Sequence, residues 1–154
     1  LKFDGRIAED FKLSTGTFVS VGPMRAKAIM AGSPYVQDVV LTGLNMKEVG
    51  ALIFPAPACR EVSGLGADAS MNEVLASTPV RQRIQAIIDQ LARESTGSAS
   101  RIARALVLAE PPSPVLGEIT DKGSVNQRAV LKHRAALVDA LHDGSATGIY
   151  TPQA

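Results

Sequence analysis

The sequence predicts a small α+β domain: about three helices packed on a small mixed or antiparallel sheet of roughly three to five short strands. Three observations carry that expectation. Val80, Ile84, Ile87, Ile88 and Leu91 recur at helical spacing, while Arg81, Arg83, Asp89 and Arg93 fall largely off that stripe, as in an amphipathic helix with one buried face. Residues 35–42 are rich in valine, residues 51–54 are apolar, and a glycine-bearing stretch over 43–50 separates them, the pattern of an antiparallel pair. The 154 residues are 45% hydrophobic and 20% charged. That suits one globular domain with a real core, and neither an internal repeat nor a heptad is present.

Each element has its own signal. Residues 1–3 and 17–21 are short extended runs, and the mixed polar stretch 7–16, with its Ser14-Thr15-Gly16 turn, makes them a hairpin or neighbouring strands. Gly22-Pro23 opens a helix whose apolar face is Met24, Ala28 and Ala31, and Gly32-Ser33-Pro34 stops it. The strand pair ends at Pro55-Ala56-Pro57. Residues 61–77 read as loop with a short helix over 71–76. Thr78 is the expected cap of the clearest helix, with Pro79 at its first position, and small polar residues over 95–100 end it. Residues 102–108 read as a buried strand. The prolines at 111, 112 and 114 exclude the following stretch from a central sheet position. Residues 118–123 form a brief extended piece and a turn. Ser124 and Gln127 make a capping-box pair before Ala129, Val130, Leu137 and Leu141, so Lys122 falls on the loop leading into a helix. That helix ends near Asp143-Gly144, and residues 145–154 read as a frayed tail.

Sixteen basic and fifteen acidic side chains leave a net charge of +1, which supplies no electrostatic reason for a nucleic acid or an anionic membrane as partner. One cysteine excludes a disulfide framework or a cysteine-based metal cluster within the chain. No apolar run approaches the roughly 18 residues that span a bilayer, and no apolar segment of a signal peptide follows Lys2. The chain begins without methionine inside an expected strand. The expectation is therefore a piece of a longer, cytoplasmic protein.

Few residues offer chemistry. Walker-type loops, dinucleotide fingerprints, His-Glu-x-x-His and G-x-S-x-G are all missing from the sequence. Cys59 reads as buried rather than nucleophilic, His133 as a surface or boundary residue, and His142 as a last-turn residue where a cation is favoured. Two polar clusters remain: Asp4-Gly5-Arg6 through Lys12-Leu13-Ser14-Thr15-Gly16, and Thr120-Asp121-Lys122-Gly123-Ser124 through Arg128. Each sets a lysine beside a glycine-bearing turn, where backbone N–H groups and a cation can meet an anion. Solvated turns with surface lysines are the plainer reading.

Both clusters resemble motifs of one family. Gly5-Arg6, then Asp10-Phe11-Lys12 and Gly16, is similar to the signature at which the large and small domains of acyl-adenylate-forming enzymes meet. The run from Phe3-Asp4-Gly5-Arg6 to Gly16-Thr17-Phe18-Val19, and Thr120-Asp121-Lys122-Gly123-Ser124-Val125-Asn126-Gln127-Arg128-Ala129-Val130-Leu131, look especially like bacterial feruloyl-CoA synthetases. The resemblance covers nearly the whole chain, as the mobile C-terminal domain only. It implies residues 1–16 as hinge motif and start of the domain, 17–144 as a lid domain and 145–154 as a tail, with a large N-terminal adenylation domain elsewhere in the protein.

The resemblance also implies an activity: ATP-dependent acid–CoA ligation, first to an acyl-adenylate and then to an acyl-CoA thioester, on a hydroxycinnamate such as ferulate. Another aryl or fatty acid is the alternative within the family. ATP and Mg²⁺ would be bound mainly by the large domain, with CoA as second substrate and that domain as partner. A cation arriving with the lid would stabilise the charge that develops when a carboxylate attacks the α-phosphate, and Lys122 is the candidate. The family pattern has its lysine directly after the glycine, where this chain has Ser124, so Lys122 must act from across Gly123. Arg6 is implied as a contact of the nucleotide, or of an interdomain carboxylate. Ala8 stands where relatives have a charged pivot residue, with Glu9 beside it as the other hinge candidate. Lys12, Ser14, Thr15 and Gly16 match the turn used in the thioester-forming state and would line the CoA path, with one extra residue before the next strand. The rival of a different class is a self-contained α+β binding or regulatory module.

Overall fold

The computed structural model describes residues 10–44, 46–66, 68–95, 101–120, 125–146 and 148–152. A hairpin opens it, β1 (Phe11–Lys12) and β2 (Phe18–Val19), paired antiparallel with Lys12 opposite Phe18. Next come α1 (Val21–Gly32), β3 (Val36–Thr42), β4 (Val49–Pro55), α2 (Ala58–Ser63), α3 (Met71–Ala76), α4 (Thr78–Glu94), β5 (Ile102–Val107), α5 (Gln127–His133) and α6 (Ala135–Asp143). The main sheet has the order β3-β4-β5. β3 runs antiparallel to β4 with Val40 opposite Leu52, and β5 runs parallel to β4 with Leu106 opposite Leu52. The fold class is the expected one: α+β, with a small mixed sheet.

Alternation of side chains splits the core across the sheet. Val39, Leu41, Ala51, Ile53 and Ala105 face α1 and the stripe of α4, whose five predicted positions are its buried residues. Val40, Leu52, Phe54, Leu106 and Leu108 face the other way, onto Val130 of α5 and Leu141 of α6. The central strand β4 is thus covered on both faces, which is why Val49 to Phe54 reads as one apolar run.

The structure corrects several expectations. Among the described residues there are six helices, not about three. The addition of α2 has a local reason: it buries only Cys59 and so shows no apolar stripe, and it closes on Gly64 in the left-handed region at φ 73°. The last predicted helix is two, because the backbone at Arg134 (φ −114°, ψ 30°) leaves the helical region between α5 and α6. Leu137, one of the apolar residues of that stretch, is 37% exposed. Ser77, not Thr78, precedes α4, and its hydroxyl donates back to the Val74 carbonyl at 2.6 Å rather than capping forward. Asn126, not Ser124, caps α5, its Oδ1 accepting from Ala129 N–H at 3.2 Å. The first hairpin strand begins at Phe11, and Val21 belongs to α1; the predicted run 1–3 lies outside the described residues. The supposed tail is partly core: Tyr150 is buried, exchanges two backbone hydrogen bonds with Ala105, and lies under the Arg81 guanidinium at 4.8 Å.

Candidate functional site

The first polar cluster forms the tip of the β1–β2 hairpin. Gly16 sits at φ 88°, a conformation that side chains resist, and its N–H donates to the Leu13 carbonyl while Leu13 N–H donates to Thr17, both at 2.9 Å. The Thr15 and Thr17 hydroxyls are 3.0 Å apart. Phe11 and Leu13 point inward and are buried, so Lys12, Ser14, Thr15 and Gly16 are presented outward. The structure therefore brings these four predicted residues together on one exposed turn.

That turn is fixed to the body. Ser14 N–H donates to the Met46 carbonyl at 2.8 Å. Gly43, at φ 139°, lets the β3–β4 turn approach so closely that a Cβ there would lie 3.1 Å from Phe11 and 2.8 Å from the Glu48 carbonyl oxygen. Asp10 Oδ1 accepts from Val21 N–H at 2.8 Å, tying the start of the hairpin to the start of α1. Beside the hairpin, an apolar groove of about 160 Å³ runs between Phe11, Leu44 and Met46 on one side and Leu131, Ala135 and Val138 on the other.

The second cluster is described at its two ends. Lys122 lies outside the described residues, as do Arg6, Ala8 and Glu9. Ile119 and Val125 form an antiparallel bridge, and Asn126 N–H donates to the Glu118 carbonyl at 2.7 Å, which closes the base of the 120–124 connection. Asp38, on β3, holds the far end. Its Oδ2 accepts from Val125 N–H at 2.9 Å, and its Oδ1 accepts from Arg25 Nη2 at 3.0 Å and from Val39 N–H at 2.8 Å. Arg25 Nη2 also donates to the Val125 carbonyl at 3.1 Å. Gln127 Oε1 accepts from Leu41 N–H at 3.1 Å. Two polar side chains thus satisfy the outer edge of β3 and seat the segment that follows Lys122.

A buried ion pair holds the near end. Arg134 donates Nε to Glu118 Oε2 at 3.2 Å and Nη2 to Oε1 at 3.0 Å, a forked arrangement. Arg134 also donates to the carbonyls of Glu110 and Pro111 and stacks on Phe54 at 5.1 Å. The hydrogen bonds from Arg134 outweigh burial and hold the Glu118 carboxyl below the usual glutamate value. Glu118 is therefore an anion that organises its neighbours, not a proton donor.

Of the second cluster, Val125 is held by Asp38 near the start of β3 and Gln127 by Leu41 near its end. Asp38, near the start of β3, anchors the 120–124 connection; the hairpin is tied to the turn beyond Thr42, where β3 ends. The span from Asp38 to Thr42 is roughly 13 Å at about 3.3 Å per residue. At the Thr42 end, His142 Nε2 lies 2.7 Å from Thr42 Oγ1 over Gly50, where a Cβ would sit 2.5 Å from that oxygen. Burial, with the Arg104 guanidinium adding to it, pushes the imidazole below its usual value. The sequence expectation of a cation in this last helical turn is corrected: Arg104 plays that part, donating to the Leu141 and His142 carbonyls at 2.9 Å. Cys59 is buried, its thiol pushed up by burial, and it donates to the Tyr35 carbonyl at 3.2 Å. Among the described residues no group of three or more His, Cys, Asp or Glu side chains could hold a metal ion, and no helix is long and apolar enough to cross a membrane.

Sequence reasoning missed the positioning residues Asp38, Arg25, Gln127, Glu118 and Arg134. A signal existed for Asp38, the lone acid in a valine-rich strand. Glu118 and Arg134 look like ordinary surface charges until the fold pairs them.

Comparison with known proteins agrees with this architecture. The family model described as AMP-binding enzyme C-terminal domain matches residues 11–146. No curated protein sequence matches the chain. Among solved structures, the A domain of a carboxylic acid reductase from Segniliparus rugosus, in complex with AMP and a co-purified carboxylic acid, superposes with a TM-score of 0.67 at 21% identity over 92% of this chain. The A-PCP didomain of carboxylic acid reductase from the same organism, in complex with AMP, superposes with 0.61 at 20% identity over 89%. The adenylation domain of a carboxylate reductase from Mycobacterium chelonae does so with 0.61 at 20% identity over 90%. At such identities the likeness speaks for the fold. This chain spans only 21%, 18% and 20% of those three chains, respectively. The family match covers most of the sequence, and on it the chain belongs to the C-terminal domains of AMP-binding, adenylate-forming enzymes.

Proposed function

We propose that this chain is the mobile lid of an ATP-dependent acid–CoA ligase, with residues 1–16 as its hinge and start and residues 17–144 as its body. In the first half-reaction a carboxylate oxygen attacks the α-phosphorus of ATP, pyrophosphate leaves, and an acyl-adenylate forms. Lys122 supplies a cation to that step, and Arg6 meets the nucleotide. In the second, the thiol of CoA attacks the adenylate carbonyl, loses its proton, and AMP leaves. The exposed turn of Lys12, Ser14, Thr15 and Gly16 serves this step along the CoA path, and Ala8 and Glu9 lie at the pivot. Mg²⁺ accompanies ATP on the large domain. The proposed acid is a hydroxycinnamate such as ferulate, a reading that rests on the motif resemblance.

The observation that supports the proposal is the exposed turn of Lys12, Ser14, Thr15 and Gly16, held to Met46, with Val125 anchored separately by Asp38. In this reading the domain turns between the two steps and presents a different face in each. A second reading keeps the adenylation step but replaces CoA by the thiol of a carrier domain. The likeness to an A-PCP didomain favours it.

The test uses the full-length protein. It is mixed with ATP, Mg²⁺, CoA and a panel of aromatic and aliphatic acids, and AMP and acyl-CoA are followed by mass. Acid-dependent AMP with acyl-CoA is the expected result and identifies the acid. Acid-dependent adenylate without acyl-CoA supports the carrier-thiol reading, and no AMP with any acid refutes both.

A further inference from the structure

The β3–β4 turn is gripped from two sides. On one side it seats the hairpin. Ser14 N–H donates to the Met46 carbonyl at 2.8 Å, Met46 N–H donates to the Gly43 carbonyl at 2.8 Å, and a Cβ at Gly43 would lie 3.1 Å from Phe11 and 3.2 Å from Leu13. On the other side, α6 and β5 hold the residues that flank the turn. His142 Nε2 lies 2.7 Å from Oγ1 of Thr42, which is 1% exposed and precedes Gly43. Arg104 Nε lies 3.5 Å from a carboxylate oxygen of Glu48, two residues after Met46. Gly50 makes the close approach possible: a Cβ there would sit 2.5 Å from Thr42 Oγ1 and 3.2 Å from His142 Nε2. A buried hydroxyl needs a partner, and Thr42 finds this one 100 residues along the chain.

The charges around the imidazole come from three elements. Arg104, on β5, faces it as a cation and donates to the Leu141 and His142 carbonyls at 2.9 Å. Glu48, ahead of β4, and Asp139, one turn earlier on α6, act on it as anions. Asp143, the next residue, is engaged with Ser145 N–H at 2.8 Å. Burial and Arg104 outweigh the two anions, so the closed contact favours the neutral ring. An opened contact wets the ring, which then takes a proton nearer its ordinary value. Acid therefore favours opening.

We infer that His142 and Thr42 form a latch that positions the hairpin turn of Lys12, Ser14, Thr15 and Gly16 through Gly43 and Met46, with Arg104 as its brace, and that opening the latch slows thioester formation more than adenylate formation. Both act through the β3–β4 turn and are positioning residues. The effect on the two half-reactions rests on the reading under Proposed function, whereas the latch rests on the contacts alone.

The test compares wild type with Thr42→Val, which keeps the side chain's shape and removes the hydroxyl, and with His142→Gln, which keeps a neutral hydrogen-bonding end that gains no charge. Hydrogen exchange of the Ser14 amide, corrected for its intrinsic pH dependence, is followed by NMR in this chain. The Glu73 amide, in the capping box of α3, is the control. In wild type, Ser14 protection should fall as the pH drops below about 6.5. At neutral pH T42V should already have lost roughly 5- to 10-fold, the worth of about one hydrogen bond. H142Q should start near wild type, and both variants should lack the fall in acid. In the full-length enzyme, T42V should lose thioester formation from supplied acyl-adenylate roughly tenfold and keep acid-dependent pyrophosphate release. Unchanged Ser14 protection in T42V, or equal loss at Ser14 and Glu73, overturns the latch. A looser hairpin with thioester formation unchanged, or with equal loss in both half-reactions, overturns its part in the second step. A wild-type enzyme that forms no adenylate overturns the ligase reading, while Ser14 exchange still decides the latch.

Discussion

Replacing Glu118 by glutamine probes the buried pair with Arg134. Glu118 is 1% exposed, and its two oxygens accept two hydrogen bonds from Arg134 and one from Ser113 N–H. Glutamine has nearly the same shape but turns an N–H₂ group toward guanidinium N–H donors and leaves the charge of Arg134 uncompensated at 9% exposure. Breaking one partner of a buried pair typically costs about 3–5 kcal/mol. At about 2–4 °C per kcal/mol for a domain of this size, the melting temperature should fall by roughly 10 °C. The assay is thermal unfolding of this chain and of E118Q, R134M and the double variant. The double variant should be less destabilised than the sum of the singles, because no lone charge remains. The carboxyl is held below its ordinary value, near 4.5, in the folded chain. The unfolded carboxyl therefore takes up a proton first. The difference between wild type and E118Q is full above about pH 4.5 and shrinks as the pH falls through the lower folded value. A loss under about 2 °C at pH 7, strict additivity, or a difference that grows in acid would refute the reasoning.

Two further outcomes follow from the geometry. Asp38→Asn weakens the clamp on Val125 and should lower adenylate formation in the full-length enzyme about tenfold or more, while thioester formation from supplied adenylate is retained; equal activity in pyrophosphate release would count against the clamp. Burial, with Arg104 adding to it, pushes the His142 imidazole below its usual value, so the unfolded imidazole protonates first and stability should decline as the pH drops below about 6.5. Denaturant midpoints at pH 7.5 and pH 5.5 should show that decline in wild type and less of it in His142→Gln, and identical slopes in the two proteins would contradict the assignment.

What could be read from the sequence was local or periodic. The α4 stripe, the β3–β4 pair and the six-residue α3 all have signals within a few residues, and α3 carries its own capping box in Ser70 and Glu73. What escaped depends on distant partners or on backbone angles. Gln127 looks like the second half of a capping box, yet its side chain is spent on Leu41, 86 residues away. Val125 takes its anchor from Asp38 across 87 residues. The helix breaks at Arg134, whose guanidinium pairs with Glu118, and nothing in Lys132-His133-Arg134-Ala135 announces it. Tyr150 sits in a stretch with few apolar neighbours and becomes core only through the edge of β5. For the site, the hairpin turn was legible because Ser14-Thr15-Gly16 is a turn in its own right. The supports that give each turn its place were not.

The most direct measurement separates the two half-reactions in the full-length enzyme, using Lys122→Ala and Gly16→Val. Gly16 adopts φ 88° with open space around it, so valine disturbs the exposed turn more than the core. Two faces serving two steps predict that the lysine variant loses adenylate formation by about 100-fold or more and keeps thioester formation from supplied adenylate, whereas the Gly16 variant does the reverse. Parallel losses in both steps for either variant would contradict a lid that works through two separate turns.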